Sequence, residues 1–313
     1  MQIELVEFSI CSAWDDSTAF PMPTCDLLRN DRALGQCAVS AVLLQDYFGG
    51  DIKKGIVNGR FKHYWNVIDG EKLDLTASQF CPPISITDEK NASREKLLTD
   101  SSFYRRYSIL KSRVDVFIQR YQEIEAEIRA CRLCEGFVEP FVGNTVFWGK
   151  RNDVILLGEA PAENGWRKSG LAWRDAAGNF IPSGKRLRDL LTICDLNLLD
   201  CSFIETVKCY PLMRNKLKCA AHNCSNFFAK QIALLAPKII VPLGKVATEV
   251  ALSTQAPFNE LVGRAHDLQI GGHNAIVFPI YHPSPVSPKS WKDNVLLMPK
   301  LKEQLKNGDK YVE

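Results

Sequence analysis

The sequence contains no apolar run approaching 18 residues, which excludes a membrane-spanning helix. Its amino terminus, Met-Gln-Ile-Glu-Leu-Val-Glu, lacks a basic stretch followed by an apolar core, so no secretory signal is expected. Without that signal, the 11 cysteines do not read as a disulfide framework. They read instead as metal or cluster ligands, a reactive thiol, or simply buried side chains. A cytoplasmic, monomeric protein without a membrane partner is the expectation.

What is present suffices for two domains, each with its own core, in a chain of 313 residues. The net charge is only +3, but it is unevenly placed. Residues 1–118 hold about 14 basic and 16 acidic side chains, and residues 119–313 about 25 and 20. A basic second half suits a nucleic-acid partner without requiring one.

That second half is organised around residues 154–170. Val154 to Leu157 are consecutive apolar residues, the pattern of a parallel strand buried on both faces. Gly158 and Pro161 then break the strand. In open α/β sheets, ligands bind at the carboxyl ends of strands. Glu159 and Glu163 follow at that end among small residues, where a carboxylate is presented rigidly.

Upstream, residues 35–48 read as an apolar helix begun by Gly35 and stopped by Gly49-Gly50. Cys37 falls in its first turn, where free N–H groups and the helix dipole lower a thiol pKa. His63-Tyr64-Trp65-Asn66 and Lys72 to Thr76 read as short strands joined by an Asp69-Gly70 turn. Cys37, His63 and Asp74 thus follow one another in the order of a papain-like hydrolase triad, with Gln36 as an oxyanion donor. A core cysteine on an apolar helix is the plainer alternative. Residues 85–100 read as a polar surface loop, and Ser101 to Ala130 as a helix with one apolar face.

Cys131-Arg-Leu-Cys134 opens the second domain. With Cys209 and Cys224 it gives the ligand count of a 4Fe–4S cluster or a structural zinc. Cys194, Cys201 and Cys219 remain, and Cys219 or His222 can compete as a ligand.

Several motifs together carry a resemblance. They are Gly158-Glu-Ala-Pro161, Val207-Lys208-Cys209-Tyr210-Pro211, Cys224 with Gln231, the Ala236 to Ala247 stretch, and His282-Pro283-Ser284-Pro285-Val286-Ser287. Their order and spacing over residues 128–305 resemble the uracil-DNA glycosylase superfamily, most closely its iron–sulfur, family 4-like branch. The resemblance implies an α/β unit over 117–313, a three-layer αβα fold with a central four-stranded parallel sheet. It implies DNA as partner and Cys131, Cys134, Cys209 and Cys224 as ligands of a structural 4Fe–4S cluster, with zinc as the alternative. Residues 6–116 resemble the bacterial YunG-type domain, which implies a smaller α+β, papain-like domain over 1–116.

A glycosylase flips a base from DNA and reads it in a pocket. Breaking the C1′–N bond builds oxocarbenium charge on the sugar and negative charge on the base. On the resemblance, Glu159 serves the sugar or its attacking water, with Glu163 second and Asp175 third. The acid that follows the first motif in the family is out of register here, where Gly165 stands. His282 donates to the base O2. Ser284 and Val286 lie in the duplex-contacting loop, Val286 where the family carries a wedging Leu. Lys289, Trp291 and Lys292 then meet the DNA backbone. Trp173 takes the place of the stacking aromatic. A hairpin over 174–182 turns at Gly178-Asn179. After it, a helix start offers free N–H groups with Lys185, Arg186 and Arg188 to a phosphate.

Two departures bear on the substrate. Uracil-removing members carry an Asn that reads uracil O4 and N3–H; alignment on Lys208-Cys209 puts Glu205 there. A protonated Glu accepts from cytosine N4–H and donates to N3, and burial raises its pKa in the required direction. The common uracil enzymes place a Tyr after the first motif's Pro, which excludes 5-substituted pyrimidines; here Ala162 follows. The expectation is therefore a DNA glycosylase that releases a modified, 5-substituted cytosine-type base, with bacteriophage DNA and antiviral defence as the setting. The alternatives are uracil repair and a base-binding module without turnover.

Overall fold

The structure is a computed structural model that describes residues 1–23, 25–139, 143–162, 166–270, 272–287 and 291–308. The chain divides into two compact units, Met1–Gln119 and Arg120–Glu313.

The first unit begins with α1 (Ile3–Ala13) and α2 (Cys37–Phe48). α2 stops at Gly49, whose φ of 70° is a helix-ending conformation that a side chain disfavours. An antiparallel sheet of order β3-β2-β1-β4 follows, built from β1 (Asp51–Val57), β2 (Phe61–Ile68), β3 (Glu71–Leu73) and β4 (Ile86–Asn91). Asp69 and Gly70 both have positive φ, 50° and 84°, as the tight turn between β2 and β3 demands. The polar loop expected over 85–100 is corrected: it contains β4 and a short helix, α3 (Arg94–Leu98). β4 is almost wholly exposed and is held by its backbone pairing to β1, so no apolar alternation marks it. The boundary between the units falls inside α4 (Ser101–Ala130).

The second unit carries β5 (Val138–Glu139), β6 (Val146–Phe147), β7 (Arg151–Gly158), α5 (Trp166–Ser169), α6 (Pro182–Ile193), β8 (Cys201–Glu205) and β9 (Tyr210–Pro211). It continues with α7 (Leu217–Asn223), α8 (Ser225–Leu235), β10 (Ile239–Pro242), α9 (Lys245–Ala251), α10 (Phe258–Leu261), β11 (His266–Ile270), β12 (His273–Val277) and α11 (Lys292–Gly308). Its main sheet runs β11-β12-β10-β7-β8-β6. β12, β10, β7 and β8 are parallel, and β11 and β6 flank them antiparallel. The sheet therefore has six strands rather than the four expected. The additions are a two-residue strand and one with every second residue exposed, neither of which stands out from the surrounding sequence.

Central β7 explains the register. Val154 and Leu156 join the core formed with Leu187 and Leu190 of α6 and Met298 and Leu301 of α11. Ile155 and Leu157 point to the opposite face, as strand alternation requires, and are equally buried. Each such side chain contributes about 1.5–3 kcal/mol of burial, which fixes the strand and the loop at its end. Among the described residues, no helix is long and apolar enough to cross a membrane.

Candidate active site

The carboxyl ends of β7 and β8 lie side by side, with Gly158 in register with Glu205. Thr206 N–H donates to Gly158 O and Val207 N–H to Glu159 O, both at 3.0 Å. The Thr206 hydroxyl adds bonds of 3.1 Å to Gly158 O and 2.5 Å to Glu159 O. Gly158 leaves no room for a side chain: a Cβ there would stand 2.8 Å from Phe203 Cζ and 3.3 Å from Glu205 Cγ. Glu159 emerges half-buried beyond this clamp, and its Oε1 takes a 2.6 Å ion pair from Arg214 Nη2.

β10 leads to Gly244, which has φ 92° and approaches the His282 loop closely. A Cβ on Gly244 would sit 3.0 Å from His282 Cβ. Ser284 N–H donates to His282 Nδ1 at 3.1 Å. An accepting Nδ1 places the proton of the neutral ring on Nε2, which leaves Nε2–H as a donor. His282 is exposed at its edge, yet desolvation of the ring lowers its pKa, with Glu159 opposing and Arg214 reinforcing the shift. Val286, on the same loop, is 90 % exposed. Ser284 braces the loop by accepting from Ser287 N–H at 3.1 Å, and its carbonyl also takes a 3.4 Å bond from Arg186 Nη1.

Glu205 ends β8 with only 8 % of its surface exposed. Burial pushes its carboxyl up to about 8, against the pull of Lys208 and with the help of Glu159. Lys208 lies beneath it, buried, donating to the Glu205 backbone oxygen and, at 2.5 Å, to Gln231 Oε1. Gln231 Nε2 donates to Thr145 Oγ1 at 2.7 Å, and Thr145 in turn to the buried Glu125. Burial lowers the Lys208 pKa, while Cys224, Glu205 and Glu125 raise it.

The structure thus brings Glu159, Glu205 and His282 to one end of the parallel strands. Glu163 and Lys289 lie outside the described residues. Ala162 is exposed. The stacking role expected of Trp173 is corrected: its ring belongs to the core, 4.5 Å from the Phe203 centroid and 8 % exposed, and offers no open face for a base. Asp175 is occupied by its own turn, where Oδ1 accepts from Ala177 and Asn179 N–H. α6 starts at Pro182, with Lys185 exposed, Arg186 on the His282 loop and Arg188 paired with Asp189 at 2.9 Å. Trp291 is exposed. Sequence reasoning passed over Arg214, which belongs to no motif, and gave Lys208 no role although it sits in one. A lysine between apolar strand residues and a cysteine was the available signal for the latter.

Cys131, Cys134, Cys209 and Cys224 line one cavity of about 210 Å³, together with Asn223, Val138 and Val207. Asn223 Nδ2 donates to Cys134 Sγ at 3.2 Å. Among the described residues, no three His, Cys, Asp or Glu side chains converge closely enough to hold a single metal ion. Zinc would need its ligand atoms within about 2.0–2.3 Å of one point. Four thiols spread around a cavity fit a larger, cluster-sized group better. Cys194 and Cys201 are core residues, and Cys219 and His222 are exposed away from the cavity lining.

The family described as Uracil DNA glycosylase superfamily matches residues 148–306, and the one described as YunG protein matches residues 2–119. A type-4 uracil-DNA glycosylase of Archaeoglobus fulgidus is 24% identical over 208 residues, covering 62% of this chain and 92% of the relative. That of Saccharolobus solfataricus is 28% identical over 174 residues, covering 51% of this chain and 74% of the relative. The uncharacterized protein YunG of Bacillus subtilis is 40% identical over 68 residues, covering 22% of this chain and 57% of the relative. The chain therefore belongs to the uracil-DNA glycosylase superfamily, a DNA N-glycosylase unit preceded by a YunG domain.

Proposed function

We propose that the second unit hydrolyses the N-glycosidic bond of a 5-substituted cytosine-type base flipped from DNA, leaving an abasic site. Glu205 carries this reading. A carboxyl held near pKa 8 is mostly protonated at neutral pH. Its carbonyl oxygen accepts from N4–H and its hydroxyl donates to N3. A neutral carboxyl can also present its hydroxyl to uracil O4, so hydrogen bonding alone does not decide. Proton transfer does. Cytosine is a poor leaving group that gains from protonation at N3, whereas uracil departs as an anion that His282 already stabilises. An acid kept beside the base serves cytosine more than uracil.

Glu159, oriented by Arg214, faces the oxocarbenium charge at C1′ or the attacking water. His282 Nε2–H meets the negative charge growing at O2, a contribution of about 10²–10³ in rate for a donor of this kind. Val286 enters the gap left by the base, and Lys185 and Arg186 meet phosphates. Cys131, Cys134, Cys209 and Cys224 would hold a 4Fe–4S cluster whose contribution is structural, tying the loops that bear them. Ala162, small and exposed, leaves space for a 5-substituent. An enzyme that released unmodified cytosine would destroy its host's genome. Modified bases of bacteriophage DNA are therefore the sensible target, and antiviral defence the role.

The test is base release from DNA carrying uracil, cytosine, 5-methylcytosine, 5-hydroxymethylcytosine or its glucosylated form, in single and double strands. Release of a modified cytosine, lost or redirected to uracil by Glu205→Asn, is expected. Release of uracil alone by the unaltered protein would return it to ordinary repair. Base binding that persists with no release from any substrate would leave a non-catalytic module.

A further inference from the structure

The first unit holds a second constellation that base excision does not use. Cys37 occupies the first position of α2, half-buried. His63 on β2 is 1 % exposed, and its Nε2 lies 2.8 Å from Asp74 Oδ2. With Nε2 engaged, Nδ1 is left for the Cys37 thiol, which is within hydrogen-bond reach, and for Gln79 Nε2 at 3.4 Å. Trp65 stacks on the imidazole at 5.8 Å and Phe80 meets it edge-on at 4.9 Å, so the ring is fixed in apolar surroundings. Burial alone would lower the His63 pKa, but the bonds to Asp74 and Cys37 push it up to about 9. A buried His–Asp pair is a costly way to fill a core, since apolar side chains of similar volume do as well or better. Set against a cysteine at a helix start, it has a chemical use: it draws the proton from the thiol.

Arg106 of α4 supplies an independent observation. Its guanidinium lies over the Phe20 and Phe103 rings at 5.4 and 5.6 Å. Nε and Nη1 are buried without a hydrogen-bond partner. Asp100 and Cys37 act electrostatically on Arg106, and Cys37 acts on His63 and Tyr64. Asp100 is already engaged by Phe103 N–H at 2.7 Å. Buried donors with no acceptor call for an anion from outside. Gln36, the oxyanion donor expected from sequence, commits one of its two Nε2 hydrogens to Asp15 O at 2.9 Å. The free N–H groups of the first turn of α2, beginning at Cys37, add to it as oxyanion donors.

We propose that Cys37, His63 and Asp74 form a cysteine amidase site, and that Arg106 holds a carboxylate on the acyl side of its substrate. Cys37 Sγ bonds to the carbonyl carbon, the C–N bond breaks, and His63 gives its proton to the departing amine. Water then splits the thioester, restoring the thiol and releasing a carboxylic acid.

Alkylation of the full chain, mapped cysteine by cysteine by mass spectrometry, tests the site with iodoacetamide and iodoacetate as probes. Cys25 and Cys81, half-buried in the same unit, are internal references. At pH 6, Cys37 should react with iodoacetamide about tenfold or more faster than either, the reactivity expected of a His63-paired thiol at a helix start. Iodoacetate should outpace iodoacetamide at Cys37 alone. Arg106→Gln should lower the iodoacetate rate about tenfold more than the iodoacetamide rate, and Asp74→Asn should shift the onset of Cys37 reactivity to higher pH. A Cys37 that titrates like Cys25 and Cys81 in the unaltered chain overturns the activated thiol, whatever the variants do. An iodoacetate preference that is absent, or that survives Arg106→Gln, overturns the carboxylate assignment.

Discussion

Glu205→Gln separates reading from protonation. Glutamine presents the same pair of groups to a cytosine edge, a carbonyl for N4–H and an amide N–H for N3, but it neither titrates nor hands over a proton. With a pKa of about 8, Glu205 is about nine-tenths protonated at pH 7 and about one-tenth at pH 9. Base release that needs the neutral acid therefore falls about tenfold over that interval. The glutamine variant should show a lower plateau, by about 10² or more for a lost general acid, and no alkaline limb. Single-turnover release of 5-hydroxymethylcytosine from duplex DNA between pH 6 and 9.5 measures both. An alkaline limb with an unchanged midpoint in the variant would refute the reasoning and assign the titration to Lys208, which burial lowers to about 8 as well. Stability provides a second readout. Between the ordinary value of 4.5 and about 8, the folded chain keeps a proton on Glu205 that the unfolded chain has lost. Folding free energy therefore declines as pH rises through that window, by up to about 1.4 kcal/mol per unit, and this contribution levels off above it. The variant should lose that slope.

Three further outcomes are expected. His282→Ala should reduce base release about 10²–10³-fold while DNA binding survives in a mobility assay; a smaller loss would remove the ring from O2. Lys208→Met leaves Gln231 Oε1 and the Glu205 backbone oxygen without their buried donor, so thermal unfolding should report a loss of about 1–3 kcal/mol; an unchanged midpoint would mean that water replaces the ammonium. Val286→Gly should slow release from duplex DNA while sparing single strands, since only a duplex has a gap to fill; equal loss on both would deny the wedge.

The strand at Val154–Leu157 and the carboxylate at its end were legible because a doubly buried parallel strand leaves an uninterrupted apolar run. The Asp69-Gly70 turn was legible because few residues accept positive φ at both positions. β4 and the short edge strand β6 were not, because an edge strand is held by backbone bonds that leave no mark on side-chain pattern. The burial of Trp173 was equally hidden. Its position after Gly170 fits a pocket, but Phe203, thirty positions on, draws the ring into the core. Arg214 was out of reach for the same reason, since its partner Glu159 is distant in sequence and meets it only in space. The Lys208–Gln231–Thr145–Glu125 chain likewise exists only once two helices and two loops have converged.

The Thr206 amide and hydroxyl hold the Gly158 and Glu159 carbonyls, so Glu205 and Glu159, the side chains proposed to read the base and serve the sugar, hang from one bracket. On the proposed function, exchanging the side chain at position 205 should change what is recognised without shifting the main chain that carries Glu159. A library varied at that single position would thus sample base preferences on an unchanged hydrolytic frame.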